Sequence, residues 1–266
     1  MAIETDVRPG DAAAPAAADP GQGPESSWDQ KEMPFTEHLR ELRSRLLVSI
    51  ATVGGIAVLA FWPSQFVIRW MTQAYFHGIT LNAFGPADVI LTEMKFSVIA
   101  GIVIGLPMLF YQLWMFVVPA IHPRTRRMVY SFIVPSLLLA LTGLAFAHFI
   151  VLPRVVAALL GITSELATPT FGIASTLDFV MILLAIFALI FQLPIVLIGL
   201  ARLGIVNGLW LAKYRRHAFF AMVVAAGIAA PDGNPLTMAL LAVPMYVLYE
   251  ASVWIILLFE KSWSKN

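Results

Sequence analysis

The sequence predicts an all-α, polytopic membrane protein with six transmembrane helices, short helices five and six, and both termini in the cytoplasm. Three observations carry this prediction. Of 266 residues, 59% are hydrophobic and only 12% are charged, about half the charged share of an ordinary soluble domain. The apolar residues gather into six stretches separated by polar, Pro- and Gly-bearing segments, and most are long enough for a hydrocarbon core of about 30 Å. Finally, 14 of the 17 Lys and Arg residues fall in the amino-terminal region, the segments 119–127 and 201–216, and the carboxyl tail. Cations collect on the cytoplasmic side, and an even number of spans brings both ends there. The net charge of +1 is too small to imply a nucleic-acid partner, and the absence of cysteine excludes disulfides and Cys-ligated metal.

Taken in order, residues 1–32 hold seven of the sixteen acidic residues and few large apolar ones. Such a segment buries too little surface to order itself, so it reads as a disordered acidic tail. It has no apolar run behind a basic start and is not a cleaved signal. Residues 33–260 form the membrane domain, and 261–266 form a short cytoplasmic tail.

Thr36 is placed to cap a charged helical turn, 37–45, which runs directly into the first span, 46–62. Pro63 ends that span. Phe66, Val67, Trp70, Met71 and Ala74 recur at helical spacing within 64–93, predicting an amphipathic helix on or near the membrane. The second span, 94–118, contains Pro107, which predicts a kink. A basic loop, 119–127, leads to the third span, 128–150, with Pro135 inside and a helical continuation to 161 past Pro153. The polar loop 162–175 precedes the fourth span, 177–200, which contains Pro194.

After the basic loop 201–216, the fifth span, 217–230, has only about 14 residues, or roughly 21 Å of helix. That is too short for normal lipid. A turn from Pro231 to Pro235 then leads into the sixth span, 236–259. The pair is expected to form a hairpin with a low tip that thins the bilayer locally. No internal repeat supports an inverted-repeat transporter.

Several motifs stand in a fixed order. They are His38-Leu39-x-Glu41-Leu42-Arg43-x-Arg45-Leu46, Leu106-Pro107 with Tyr111-Gln112-x-Trp114, Pro119 with Arg126-Arg127, Phe191-x-x-Pro194, Pro231-Asp232, and Pro244-Met-Tyr-x-x-Tyr-Glu250. Together, from about Pro34 to Phe259, they resemble the TatC family, the multispanning receptor subunit of the twin-arginine protein translocase. The resemblance implies a receptor and scaffold that binds twin-arginine signal peptides of folded cargo. It also implies TatA- and TatB-type single-span partners, homo-oligomers within a receptor complex, and export across the cytoplasmic (inner) membrane driven by the proton-motive force. It implies no bond-making chemistry.

On the residues alone, Glu41 pairs with Arg45 one turn on and faces Glu37 one turn back. The resemblance implies instead that Glu41 helps bind the twin arginines, as carboxylate and guanidinium pair bidentately. Arg43 belongs to the same motif. Thr125 stands where the family carries a second recognition glutamate, and Glu37 could supply the missing carboxylate. Gln192 replaces a family glutamate in span four; on the residues alone it is a polar group satisfied by neighbouring helices or by backbone freed at Pro194.

Glu250 lies roughly 15 Å deep, where a carboxylate must be protonated, paired or wet. Its family match favours packing or partner docking. Asp232 matches the family's Pro-Asp tip and also reads as an Asx-turn residue. Asp88 matches an acidic position on the outer loop. The five histidines show no ligand spacing, and no phosphate-loop, nucleophile-elbow or dinucleotide signature occurs, so no cofactor is indicated. Two alternatives stand beside the receptor: a divergent TatC paralogue with narrow cargo, and a proton- or solute-coupled permease centred on Glu250. An intramembrane enzyme would need a nucleophile and base paired at membrane depth, which the spacing does not offer.

Overall fold

The computed structural model describes residues 35–76, 79–117, 131–166, 170–230 and 233–263. The acidic tail, the basic loop 119–127 and Asp232 lie outside the described residues. So do Thr125 and the side chain of Glu37.

Nearly everything described is helical. The chain runs α1 (Phe35–Phe61), α2 (Ser64–Tyr75), β1 (Leu81–Asn82), α3 (Asp88–Val117) and α4 (Ile133–Phe146). It continues through a π-helical turn (Ala147–Val151), α5 (Leu152–Leu166), β2 (Phe171–Gly172) and α6 (Ile173–Ile190). Last come α7 (Leu193–Arg202), α8 (Gly208–Lys213), α9 (Arg215–Ala229) and α10 (Pro235–Trp263). The strands are two residues each and pair in parallel, Leu81 against Phe171 and Asn82 against Gly172. They tie the loop before α3 to the loop before α6.

Five helical stretches are long and apolar enough to cross a membrane: His38–Phe61, Asp88–Val117, Ile133–Gly161, Ile173–Arg202 and Pro235–Phe259. The remaining expected span, the fifth, is α9, which has only 15 residues, or about 22 Å. It is not lengthened by α8, because the helix breaks at Tyr214. The expectation that the last helix is also short fails. α10 runs unbroken for 29 residues with Pro244 inside it.

The prolines act unequally. Pro107 lies within an unbroken 30-residue helix, so span two continues through it. Pro194 does break span four. α6 stops at Ile190 and α7 restarts at Leu193 with the proline in its first turn. Pro153 sits just beyond the π-helical turn. Proline removes one backbone donor and crowds the carbonyl four residues back, and a wider turn absorbs both effects. Thr36 is not the cap of α1, since Phe35 is already helical.

The core lies around α6, where Leu177, Leu183 and Phe187 are fully buried. α3 and α4 pack on it, and the outer surfaces of the long helices remain apolar and exposed, as lipid requires. α1 packs chiefly against α3. Gly101 permits that approach, because a Cβ there would lie 2.6 Å from the Val53 carbonyl oxygen and 3.0 Å from Ala57 Cβ. The buried face of α2 is Ser64, Ile68, Met71 and Tyr75. Phe66, expected on the apolar face, is 76% exposed and is free to enter lipid.

Candidate functional site

The amino-terminal turn of α1 is held against the carboxyl end of α3. The ring of His38 stacks on Phe116 with centroids 4.4 Å apart. One turn further on, Glu41 Oε1 accepts from Arg45 Nε at 3.0 Å and also from Arg45 Nη2. The remaining arm of that guanidinium, Nη1, donates to Gln112 Oε1 of α3 at 3.3 Å. The Glu41 side chain is 20% exposed and that of Arg45 18%. A carboxylate in this position is half-sheltered, fixed by two helices and already matched to a guanidinium. Arg43 is exposed on the same helix. The structure therefore joins Glu41 to Arg45, as the spacing predicts, and adds Gln112, which no local pattern announces.

Trp114 explains another part of the α3 motif. It is buried and packs beside Phe132 with centroids 6.0 Å apart. Its indole lies against Gly199 of α7, where any Cβ would strike the ring. This contact sets the end of α3 against the second half of the broken span.

Gln192 sits in the break between α6 and α7 and is 1% exposed. Its Nε2 donates to the Ser136 carbonyl oxygen at 3.0 Å, and Ser136 Oγ donates to its Oε1 at 2.7 Å. The amide is satisfied by the neighbouring helix, as the reading from residues alone expects.

Glu250 has two partners. Tyr246 Oη donates to its Oε1 at 2.9 Å. Arg215 Nε, at the start of α9, lies 3.1 Å from the same oxygen. No hydrogen bond forms from that Nε, so the contact is a charge contact rather than an aligned bond. Next to it, Tyr249 Oη donates to the Leu211 carbonyl oxygen of α8 at 2.8 Å. Arg215 thus ties the start of α9 to α10, and Leu211 ties α8 to it. Sequence reading assigned Arg215 to a basic loop; 35 residues of separation from Glu250 leave no periodic signal for the pair.

Asp88 turns inward on its own loop. Its Oδ2 accepts from the backbone N–H groups of Phe84 at 2.9 Å and Gly85 at 2.8 Å, which fixes the entry to α3. Two further links between elements were not foreseen. Lys95 of α3 pairs with Asp178 of α6 at 2.5 Å, and Tyr75 of α2 is hydrogen-bonded to His148 Nδ1 in the π-helical turn. Burial pushes the Tyr75 phenol up to about 12, so it stays protonated. Beside it lies an apolar cavity of about 360 Å³ bounded by α2, α3, α4 and α6, which contains none of the expected site residues. Among the described residues no cluster of His, Asp and Glu could hold a metal ion.

Long apolar helices, a broken central span and polar clasps at the helix ends define a polytopic helical membrane protein. A sequence model of the family described as Sec-independent protein translocase protein (TatC) matches residues 37–244. The chain belongs to the TatC family, whose members are components of a protein translocase. It is 35% identical over 226 residues to the Sec-independent protein translocase protein TatCy of Bacillus subtilis, covering 84% of this chain and 89% of that protein. It is 34% identical to TatC of Aquifex aeolicus, covering 84% and 94%. A crystal structure described as the twin arginine translocase receptor TatC in DDM superposes with a TM-score of 0.74 at 32% identity, over 83% of this chain and 99% of that one. Family membership makes this a membrane protein of protein transport. It does not favour the permease centred on Glu250 or the narrow-cargo paralogue.

Proposed function

We propose that this chain is the signal-peptide receptor and scaffold of a twin-arginine translocase, exporting folded proteins across the cytoplasmic membrane with the proton-motive force. The observation that supports this reading is Glu41. It is a half-sheltered carboxylate fixed at the start of the first span and in contact with a guanidinium. Arginine on an incoming peptide has the same donor geometry and keeps its charge at any working pH. Arg43, Glu37 and Thr125 complete the binding region in this reading, with Glu37 supplying charge that Thr125 lacks.

In the same reading α9 is the fifth span and α10 the sixth. Both termini are cytoplasmic, consistent with the Lys and Arg asymmetry. The acidic segment 1–32 and the tail 261–266 flank one membrane domain, 33–260. Glu250, Asp232 and Asp88 shape the surfaces where TatA- and TatB-type single-span subunits and further copies of the chain dock, while the buried intramembrane amide of Gln192 holds the broken span to its neighbour. The protein makes and breaks no covalent bonds itself.

The test is complementation of a strain lacking TatC, read by export of a folded reporter carrying a twin-arginine signal. Export should return with the wild-type chain and fall with Glu41→Ala at equal membrane abundance. No export with wild-type chain at normal abundance and with its partner subunits present would overturn the reading.

A further inference from the structure

We propose that Arg45 is an internal stand-in for the peptide's guanidinium, and that a twin-arginine ligand binds by displacing it from Glu41. The inference rests on the receptor reading of Glu41 and concerns how that site is regulated. Two donors of Arg45, Nε and Nη2, converge on a single carboxylate oxygen, Oε1. Fork-to-fork capture of a second guanidinium needs both oxygens of the carboxylate. Oε1 must therefore be vacated before an incoming arginine can chelate.

The structure offers Arg45 somewhere to go. Its Nη1 already reaches Gln112 Oε1 on α3 at 3.3 Å, so the side chain can pivot onto Gln112 without moving the backbone. Glu41 stays in place meanwhile, because the stack of His38 on Phe116 anchors that turn of α1. A plain pair within one helix would need no third contact on another helix.

Linkage fixes the consequences. If resident Arg45 holds Oε1 for most of the time, apparent affinity for a ligand that needs both oxygens is reduced to the fraction of sites that are open. Removing Arg45 lifts that factor for an arginine, whose fork takes both oxygens, but not for a lysine, whose single ammonium can use the oxygen Arg45 does not bind. The arginine peptide should gain more than the lysine peptide, and the ratio between them should widen.

The experiment uses the full chain in nanodiscs and measures affinities of a twin-arginine peptide and its Lys-Lys counterpart. Arg45→Gln should tighten the arginine peptide roughly two- to fivefold, for one partly exposed ion pair, and the Lys-Lys peptide by less; an equal gain for both would reflect only the loss of a nearby positive charge and would overturn the displacement. Arg45→Lys, a charge-preserving but weaker competitor, should give a smaller gain in the same direction. It also serves as the readout if Arg45→Gln fails to fold. If Arg45 instead presents Glu41 to the peptide, Arg45→Gln weakens binding and Arg45→Lys restores it; that result, or no change in either variant, overturns the proposal. If the wild-type chain binds both peptides equally and Glu41→Gln changes nothing, the receptor reading itself fails and takes the stand-in with it.

Discussion

Ser136 and Gln192 hydrogen-bond each other twice across the third and fourth spans, through Oγ to Oε1 at 2.7 Å and through Nε2 to the Ser136 carbonyl at 3.0 Å. Both residues are 1% exposed. The pair closes the gap that Pro194 opens in span four, so it joins two helices at the place where one of them is broken. Replacing Gln192 with Leu leaves Ser136 Oγ without its acceptor and should cost about 1–3 kcal/mol. Thermal unfolding in detergent is the readout. A Gln192→Leu protein as stable as wild type would show that the break needs no polar clasp.

Gly101 lets α1 and α3 pack closely. A methyl group there would meet the Val53 carbonyl oxygen at 2.6 Å. Gly101→Ala should therefore force the two helices apart and cost about 1–3 kcal/mol. Gly54→Ala is the control, since a Cβ at Gly54 meets nothing within 4 Å. Equal melting temperatures for the two variants would contradict the packing described.

Arg215 and Glu250 should be coupled, but weakly. The Arg215 side chain is 39% exposed and that of Glu250 21%, and Arg215 Nε makes no aligned hydrogen bond, so about 0.5–1 kcal/mol is expected. A double-mutant cycle with Arg215→Gln and Glu250→Gln measures it. A coupling indistinguishable from zero would leave apolar packing, such as Phe219 on Tyr246, as what holds α9 to α10.

Membrane orientation can be read directly. Reporter fusions at Ser164 should behave as outside and fusions at Lys213 as inside, following the distribution of 14 of 17 cations. The reverse pattern would invert the proposed topology.

The sequence exposed the architecture more fully than the site. Long apolar runs and punctuating prolines located five membrane helices and the short α9, because those features are local. Pro107 and Pro194 show the limit. Both sit in spans, yet only Pro194 breaks its helix, and the difference lies in what neighbouring helices offer, such as the Ser136 clasp on Gln192. The i,i+4 pairing of Glu41 with Arg45 was legible from helical spacing. The contacts to Gln112, from Arg215 to Glu250 and from Lys95 to Asp178 were not, since each joins residues dozens of positions apart with no periodicity to connect them.

Recognition of the twin arginines rests most on Glu41, and one binding measurement tests it. A twin-arginine peptide and an otherwise identical Lys-Lys peptide are titrated against the wild-type chain and against Glu41→Ala. Charge-assisted hydrogen bonds of roughly 1.5–3 kcal/mol are at stake, so Glu41→Ala should weaken the arginine peptide by about ten- to a hundredfold, Glu37→Ala should weaken it too, and Thr125→Glu should strengthen it. Binding should also fall as salt rises. Equal binding of both peptides, unaffected by loss of Glu41, would show that this carboxylate is only the solvated end of a helix.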